Sequence, residues 1–339
     1  MKLKTISLIT LLFINTQSFN QDTFSIVAVD ETTGEVGGAG ASCLDESQFP
    51  GSGGVLLIHE IFPGRGVIHT QSYYLPGNQQ NAANQLLSGH SPQEVVDWLA
   101  QDVNDVQANA TQRQYGVADF DSLGNARSAA FTGVNCMDYK NQIIGSNYAI
   151  QGNILIGQEI LDSMEARFLN TGGELADKLM AALQGAKIPG ADTRCLGEGV
   201  SSLSAFVRVA KPNDSLSDLY LDISIPETPF GVEPIDSLQI LFDDWKSSQT
   251  GGAIPDFNEQ DIFIYPNPVD VNFSKVVFKT SSGGFDEIRF YDQSGKPLKL
   301  FQNSSNHLEI SMADFSKGIY FYTILKGGMS LKNGKVVLI

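Results

Sequence analysis

The chain is short of the residues that mark the commonest functional sites. Of its 339 residues only three are cysteine (Cys43, Cys136, Cys195) and four are histidine (His59, His69, His90, His307). No CxxC pair and no Cys/His cluster occurs, so neither a zinc-ligand spacing nor a disulfide-dense scaffold is written in it. No metal or other cofactor is expected. An odd number of cysteines leaves at least one thiol free or paired between chains, and which two pair is open. Basic residues are also scarce, with 22 Lys and Arg against 38 Asp and Glu for a formal net charge of −16. That argues against nucleic acid or anionic membrane as a partner, since both require clustered cations. An acidic surface fits solubility outside the cell. After residue 20 no segment approaches the ~18–20 apolar residues of a membrane-spanning helix. The glycines of Gly37-Gly-Ala-Gly40 are not followed by the Lys-Ser/Thr of a phosphate loop, and they sit inside a strand pattern.

What is present is ample material for a core, 42% hydrophobic and 18% charged, in a chain long enough for two domains. Residues 1–20 read as a secretory signal, with Lys2 and Lys4 ahead of a short apolar run. Residues 23–43 then read as a hairpin. Phe24, Ile26 and Ala28 alternate with Ser25, Val27 and Val29, and the segment 30–34 supplies a turn ending in Gly34. The return strand is nearly all small side chains, which costs stability unless something approaches its backbone closely. A turn centred on Thr33 places Thr23 beside Ser42, Cys43 and Leu44 at the open end.

Strands are expected over 55–58 and 66–74 about the turn at 63–66, then at 114–120, 126–132, 146–150, 200–209 and 219–225. Helices are expected over 78–87, 160–169, 174–183 and 235–246. A further helix is announced by Ser91, Pro92 and Glu94, a capping box with proline at the first position. Its stripe is Val95, Val96 and Leu99, with Trp98 beside it as a core residue. Strands alternating with helix pairs indicate an α+β chain. Residues 247–258 read as a linker by composition, and beyond them the texture changes to short strands of Ile, Phe, Val and Tyr.

TFSIVA, the GGAGAS strand, HTQSY (69–73), AAFTG (129–133) and IQGNIL (150–155) follow one another as in the family catalogued as domain of unknown function 1028. The chain resembles that family over residues 23–246. The resemblance implies a four-layer αββα sandwich like that of the N-terminal-nucleophile (Ntn) hydrolases, without naming a substrate. The segments Tyr-Pro-Asn-Pro (265–268) and Gly-Ile-Tyr (318–320), with the closing 334–339, resemble the C-terminal sorting domain of the type IX secretion system. That second resemblance covers 259–339. It implies a small all-β, immunoglobulin-like domain, the type IX secretion machinery as partner, and a secreted or cell-surface protein of a Gram-negative bacterium. A carbohydrate-binding β module is the alternative for this segment.

An Ntn hydrolase attacks with a Thr, Ser or Cys at a newly exposed N-terminus, and its own α-amine takes the proton. The resemblance implies Thr23 as that nucleophile, acting on a small-molecule or peptide-like amide. Here Gln21 and Asp22 precede it, so an exposed amine requires cleavage of the Asp22–Thr23 bond. Asp-Thr is a pair at which some Ntn precursors cleave themselves. Asn153 is the second catalytic candidate, as an oxyanion donor, or else a turn or helix cap. Ser42, Cys43, Thr70, Gln71 and Arg194 are the substrate-binding candidates. Ser42 and Cys43 stand at the hairpin's open end, either to bond the amine or simply to pack. Gln71 would orient substrate, and Arg194 would grip a carboxylate or pair with Asp192. Cys43 is also a candidate nucleophile in its own right. The other class of reading is a catalytically silent module that keeps the fold for binding or scaffolding. Oligomeric state is not legible.

Overall fold

The structure is a computed structural model that describes residues 23–249, 262–267, 269, 275–280, 284–292, 296–327 and 329–338. The secretory signal over 1–20 and most of the linker lie outside the described residues. The chain divides into two compact units at Trp245/Lys246. Among the described residues no helix is long and apolar enough to cross a membrane.

In the first unit β1 (Thr23–Val29) and β2 (Val36–Ser42) form the expected hairpin at the centre of a six-stranded antiparallel sheet. Its other strands are β7 (Asn141–Ile144), β8 (Tyr148–Gly152), β9 (Ser204–Ala210) and β10 (Leu221–Ile225), in the order β10-β9-β2-β1-β8-β7. A second sheet is the meander β3 (His59–Phe62), β4 (Gly66–Gln71), β5 (Gln114–Phe120) and β6 (Ala126–Thr132). The helices are α1 (Pro76–Leu87), α2 (Pro92–Leu99), α3 (Glu159–Asn170), α4 (Leu175–Gly185) and α5 (Pro234–Gln249).

The period-2 alternation of β1 decides what packs where. All seven of its residues are buried, so both faces are covered. Phe24, Ile26 and Ala28 meet Leu161 and Met164 of α3, Leu179 and Met180 of α4, and Leu238 of α5 in one cluster. Val27 and Val29 face the other way, onto Val67 and Ala118 of the second sheet. That sheet turns Ile68 and Val117 outward onto Ala82 and Leu86 of α1 and Val95, Val96 and Leu99 of α2. Burying one such side chain contributes about 1.5–3 kcal/mol, and three separate apolar clusters hold these layers together.

The small residues of β2 have the close neighbours that their cost requires. A Cβ on Gly37 would stand 2.8 Å from both the Arg208 carbonyl and Leu179 Cδ1 of α4. On Gly38 it would stand 2.6 Å from His69 Nε2. Helix α2 opens with the capping box read from its sequence, Ser91 accepting from Glu94 N–H and Glu94 accepting from Ser91 N–H. Residues 55–58 are not a strand. They form a 3-10 turn, Gly54–Ile58, because Gly53 and Gly54 take positive φ (70° and 65°) and Val55 N–H bonds Ser204 Oγ instead of a strand partner. The hairpin register pairs Thr23 with Ser42 and Val29 with Val36, tighter than a turn centred on Thr33. Asp30 N–H bonding the Glu35 carbonyl closes the loop one step earlier.

The second unit is all β. One sheet is β11 (Ile262–Tyr265), β12 (Lys275–Thr280) and β15 (His307–Ser311); the other is β14 (Pro297–Gln302), β13 (Glu287–Tyr291), β16 (Gly318–Lys326) and β17 (Met329–Leu338), each in that order. Its core is aromatic, with Phe278, Phe290 and Tyr322 in mutual ring contact.

Candidate functional site

Thr23 begins the central strand, and Ser42, the last residue of β2, is its cross-strand partner. The Thr23 carbonyl accepts the Asn153 backbone N–H at 3.2 Å and Gln71 Nε2 at 3.2 Å. Thr23 is 1% exposed, and its Oγ1 has no hydrogen-bond partner among the described residues. An unpaired buried hydroxyl costs about 1–3 kcal/mol, and such an atom calls for a functional reading.

Around it lies a polar layer between the two sheets, where Ser25, Gln71, Gln114, Gln151 and Asn153 are all buried. Ser25 Oγ donates to Gln71 Oε1 at 2.6 Å, and Gln151 Nε2 donates to Ser25 Oγ at 2.7 Å. Gln71 Nε2 also donates to Gln114 Oε1 at 2.7 Å, and Asn153 Nδ2 reaches the same oxygen at 3.0 Å. Gln114 Nε2 in turn donates to Thr132 Oγ1 at 2.9 Å and to the Gly152 carbonyl at 2.9 Å. Gln114 therefore links β4, β5 and β6 of one sheet to the end of β8 in the other.

Backbone strain borders this layer. Ile154, directly after Asn153, holds φ at 52°, and Ser72 and Tyr73, directly after Gln71, hold 58° and 51°. A β-branched residue in that region is an outlier, and such strain concentrates at functional sites. Ile154 is kept there by its N–H on the Met137 carbonyl and its carbonyl on Thr193 N–H.

On the other side of Ser42 stands Asp192, fully buried. Its Oδ2 accepts Cys43 N–H at 3.0 Å and Arg194 Nη2 at 2.7 Å, and its Oδ1 accepts Arg194 Nε at 3.1 Å. That two-pronged grip sets Arg194 Nη2 3.4 Å from Ser42 Oγ. Cys43 is disulfide-bonded to Cys195, and Cys136 is the free, buried cysteine.

Thr23, Ser42, Gln71, Asn153 and Arg194 thus gather at one end of the sheets. Two candidates fall out. Cys43 has no thiol to offer as nucleophile or donor, because its sulfur is bonded to Cys195. Thr70 lies on the wrong face of β4: its cross-strand partner is Tyr115, which belongs with Ile68 to the cluster under α1 and α2. Alternation sends adjacent side chains to opposite faces, so Thr70 and Gln71 cannot share a site. Asn153 caps no helix, since α3 starts only at Glu159. Sequence reading missed Gln114, Ser25 and Gln151. Glutamine on the inward side of an otherwise apolar strand is the available signal, for Gln114 and for Gln151 but not for Ser25.

The sequence shows no histidine cluster, yet the fold joins two of the four histidines. His59 and His69 are cross-strand partners, with Nδ1 of one 2.9 Å from Nε2 of the other and Phe206 against both rings. Burial pushes His69 down to about 3. His59 is held well below the usual imidazole range by burial, then by His69 and Arg208. Both are therefore neutral, one donating to the other. Among the described residues no group of three or more His, Cys, Asp or Glu is placed to hold a metal ion.

The profile of a family of unknown function, DUF1028, matches residues 23–234, and that of a secretion system C-terminal sorting domain matches residues 263–338. A crystal structure of a DUF1028 protein from Silicibacter pomeroyi is similar at a TM-score of 0.51 and 26% identity, covering 66% of this chain and 88% of that one. No curated protein matches the chain.

Proposed function

This chain belongs to the DUF1028 family and carries a type IX sorting domain that makes it a secreted or cell-surface protein, and on that premise we propose that it is an amidohydrolase of the Ntn type. Thr23 is the nucleophile and the substrate is a small amide or peptide-like molecule. Two sheets face to face with helices outside each are compatible with the αββα arrangement of that class. The observation that carries the reading is the position of Thr23, first in the central strand, with an unpartnered buried hydroxyl and a carbonyl fixed from two sides.

The chemistry begins with removal of residues 1–22, by a separate protease or by attack of the Thr23 hydroxyl on the Asp22 carbonyl, which breaks the Asp22–Thr23 amide, frees the amine and forms an ester that water then hydrolyses. The freed α-amine, with a reference pKa of ~7.7–8.0, is a base at neutral pH. Thr23 Oγ adds to the substrate carbonyl while its proton passes to that amine. Collapse expels the substrate's nitrogen, which takes the proton and leaves as an amine. The ester left on Thr23 is then hydrolysed by water, returning the hydroxyl and releasing the acid. Asn153 Nδ2 supplies an oxyanion donor by leaving Gln114, Ser42 stands beside the amine, and Arg194 offers its guanidinium to a substrate anion.

One observation favours a different reading, a silent binding module. Gln71 and Asn153 spend their amide groups on Gln114, and Arg194 spends two nitrogens on Asp192. Amide groups and a guanidinium committed to internal partners are what a structural role requires, while Thr23 Oγ1, Gln151 Oε1 and Asn153 Oδ1 stay without a partner among the described residues. Chain beginning at Thr23, its Thr23→Ala and Thr23→Ser variants, and chain extended by Gln21 and Asp22 distinguish the two readings on panels of acyl-amide and short-peptide substrates. The enzyme reading expects activity in the first, none in Thr23→Ala, a part in Thr23→Ser, and a loss of ~10²–10⁴-fold on extension. No activity in any form leaves the binding module.

A further inference from the structure

We infer that the outer face of the β14-β13-β16-β17 sheet is the surface through which the secretion machinery grips this chain. The proposed occupant is a protein surface apolar at its centre and acidic at its rim. The inference rests on the sorting-domain match and is independent of the hydrolase reading.

Strand alternation fixes which side chains that face presents. β13 turns Ile288 and Phe290 into the core and leaves Glu287, Arg289 and Tyr291 outside; β16 buries Tyr322 and Ile324 and leaves Ile319 and Phe321 outside. The register then makes them neighbours. Leu300 lies beside Arg289, Tyr291 beside Phe321, Phe321 beside Lys335, and Ile319 beside Val337. Leu298, Leu300, Ile319 and Phe321 are 37–49% exposed. A single exposed Leu is ordinary, but apolar side chains gathered on one face from all four strands, with Arg289 and Lys335 set among them, form a patch of the kind that marks an interaction site. The core does not need these side chains, because the other face of the same sheet already supplies Phe290, Tyr322 and Ile324 to it. At the β14 edge the patch opens into a groove of about 390 Å³ lined by Arg289, Tyr291, Pro297, Leu298, Lys299 and Leu300.

Charge selects the occupant. Residues 263–338 hold nine Lys and Arg against six Asp and Glu, on a chain whose formal net charge is −16. Arg289, bonded to Glu287, and Lys335 stand beside Leu300 and Phe321 of the patch. A second copy docking through the same face would bring the basic pair Arg289 and Lys335 against a surface that carries the same basic pair, because a two-fold interface uses one patch on both subunits. Like charges so opposed disfavour the pair, whereas an acidic rim complements them.

The test uses the full chain with its leader, expressed in a host that has a type IX system. One variant carries Leu300→Asp with Phe321→Asp; a second carries Arg289→Glu with Lys335→Glu, which alters no buried side chain. Leu123→Asp, at a position 85% exposed in the first unit, is the control. The expected result is a fall of about tenfold or more in the extracellular and surface fraction for both double variants, the scale of losing central interface contacts. The protein should accumulate in the periplasm with its melting transition intact, and the control should be exported normally. If the apolar variant does not fold, the charge variant decides alone. Normal export of a folded double variant overturns the inference. So does a wild-type dimer in sedimentation that Phe321→Asp dissociates, because the face would then belong to a second copy.

Discussion

Breaking the Cys43–Cys195 bond gives the most calculable perturbation of the first unit. The two residues are 152 apart in sequence, so the bond closes a long loop of the unfolded chain. The chain-entropy relation gives about 5 kcal/mol for a loop of that length, and measured bonds of this kind commonly return about 2–4 kcal/mol. We expect about 3–4 kcal/mol. The assay is equilibrium urea denaturation of the Cys43→Ala/Cys195→Ala variant against wild type. It is followed by tryptophan fluorescence, because the chain's two tryptophans, Trp98 and Trp245, both belong to the first unit. At a slope of about 2–3 kcal/mol per molar urea the midpoint should fall by about 1–2 M. Thiol titration of unfolded, unreduced wild type should find a single reactive group, Cys136. An unchanged midpoint, or three titrating thiols in exported protein, would refute the reasoning.

The buried histidine pair gives the first unit a pH dependence of known sign. Because both imidazoles have depressed values in the folded chain, the unfolded chain holds more protons below its ordinary value of 6.5. Their stabilisation is complete above that pH and is lost as pH falls below it, down to about 3 for His69, by about 1.4 kcal/mol per unit for each ring that stays neutral in the folded chain; NMR signals of His59 and His69 that titrate near 6.5 in folded protein would contradict this. Replacing Gln114 by Leu leaves Asn153 Nδ2 without its acceptor in a buried layer, removes the side-chain donor to the Gly152 carbonyl, and leaves Gln71 Nε2 with the Thr23 carbonyl as its remaining acceptor. A loss of about 3 kcal/mol is expected in urea denaturation, and a change below about 0.5 kcal/mol would show that the layer does not tie the sheets. Deleting residues 258–339 should leave residues 23–249 folded while abolishing delivery past the outer membrane, measured by fractionation; a truncated chain still found in the medium would remove the sorting assignment.

Much of this architecture is local and so was legible. The alternation in 24–29, the Asp30–Gly34 turn and the Ser91/Glu94 capping box each act within a few residues, and each is found where the sequence indicates it. The glycine stripe of β2 signalled a close approach but not by what. His69, which fills the space over Gly38, comes from a strand some thirty residues further on, in the other sheet. The polar layer was harder for the same reason. Gln114 is joined to Asn153 across 39 residues and to Gly152 across 38, a proximity only the packing of two sheets creates. Thr70 and Gln71 are adjacent in sequence and inseparable as a motif, yet alternation divides them. Residues 55–58 are apolar enough for a strand, and it was the pair of positive-φ glycines ahead of them that turned the chain.

The central claim turns on a free α-amine at Thr23, and intact-mass and N-terminal peptide analysis of the exported protein measures it directly. The account predicts a mature chain whose first residue is Thr23. A mature chain beginning at Phe19 or Gln21 would lock that nitrogen in an amide and contradict it.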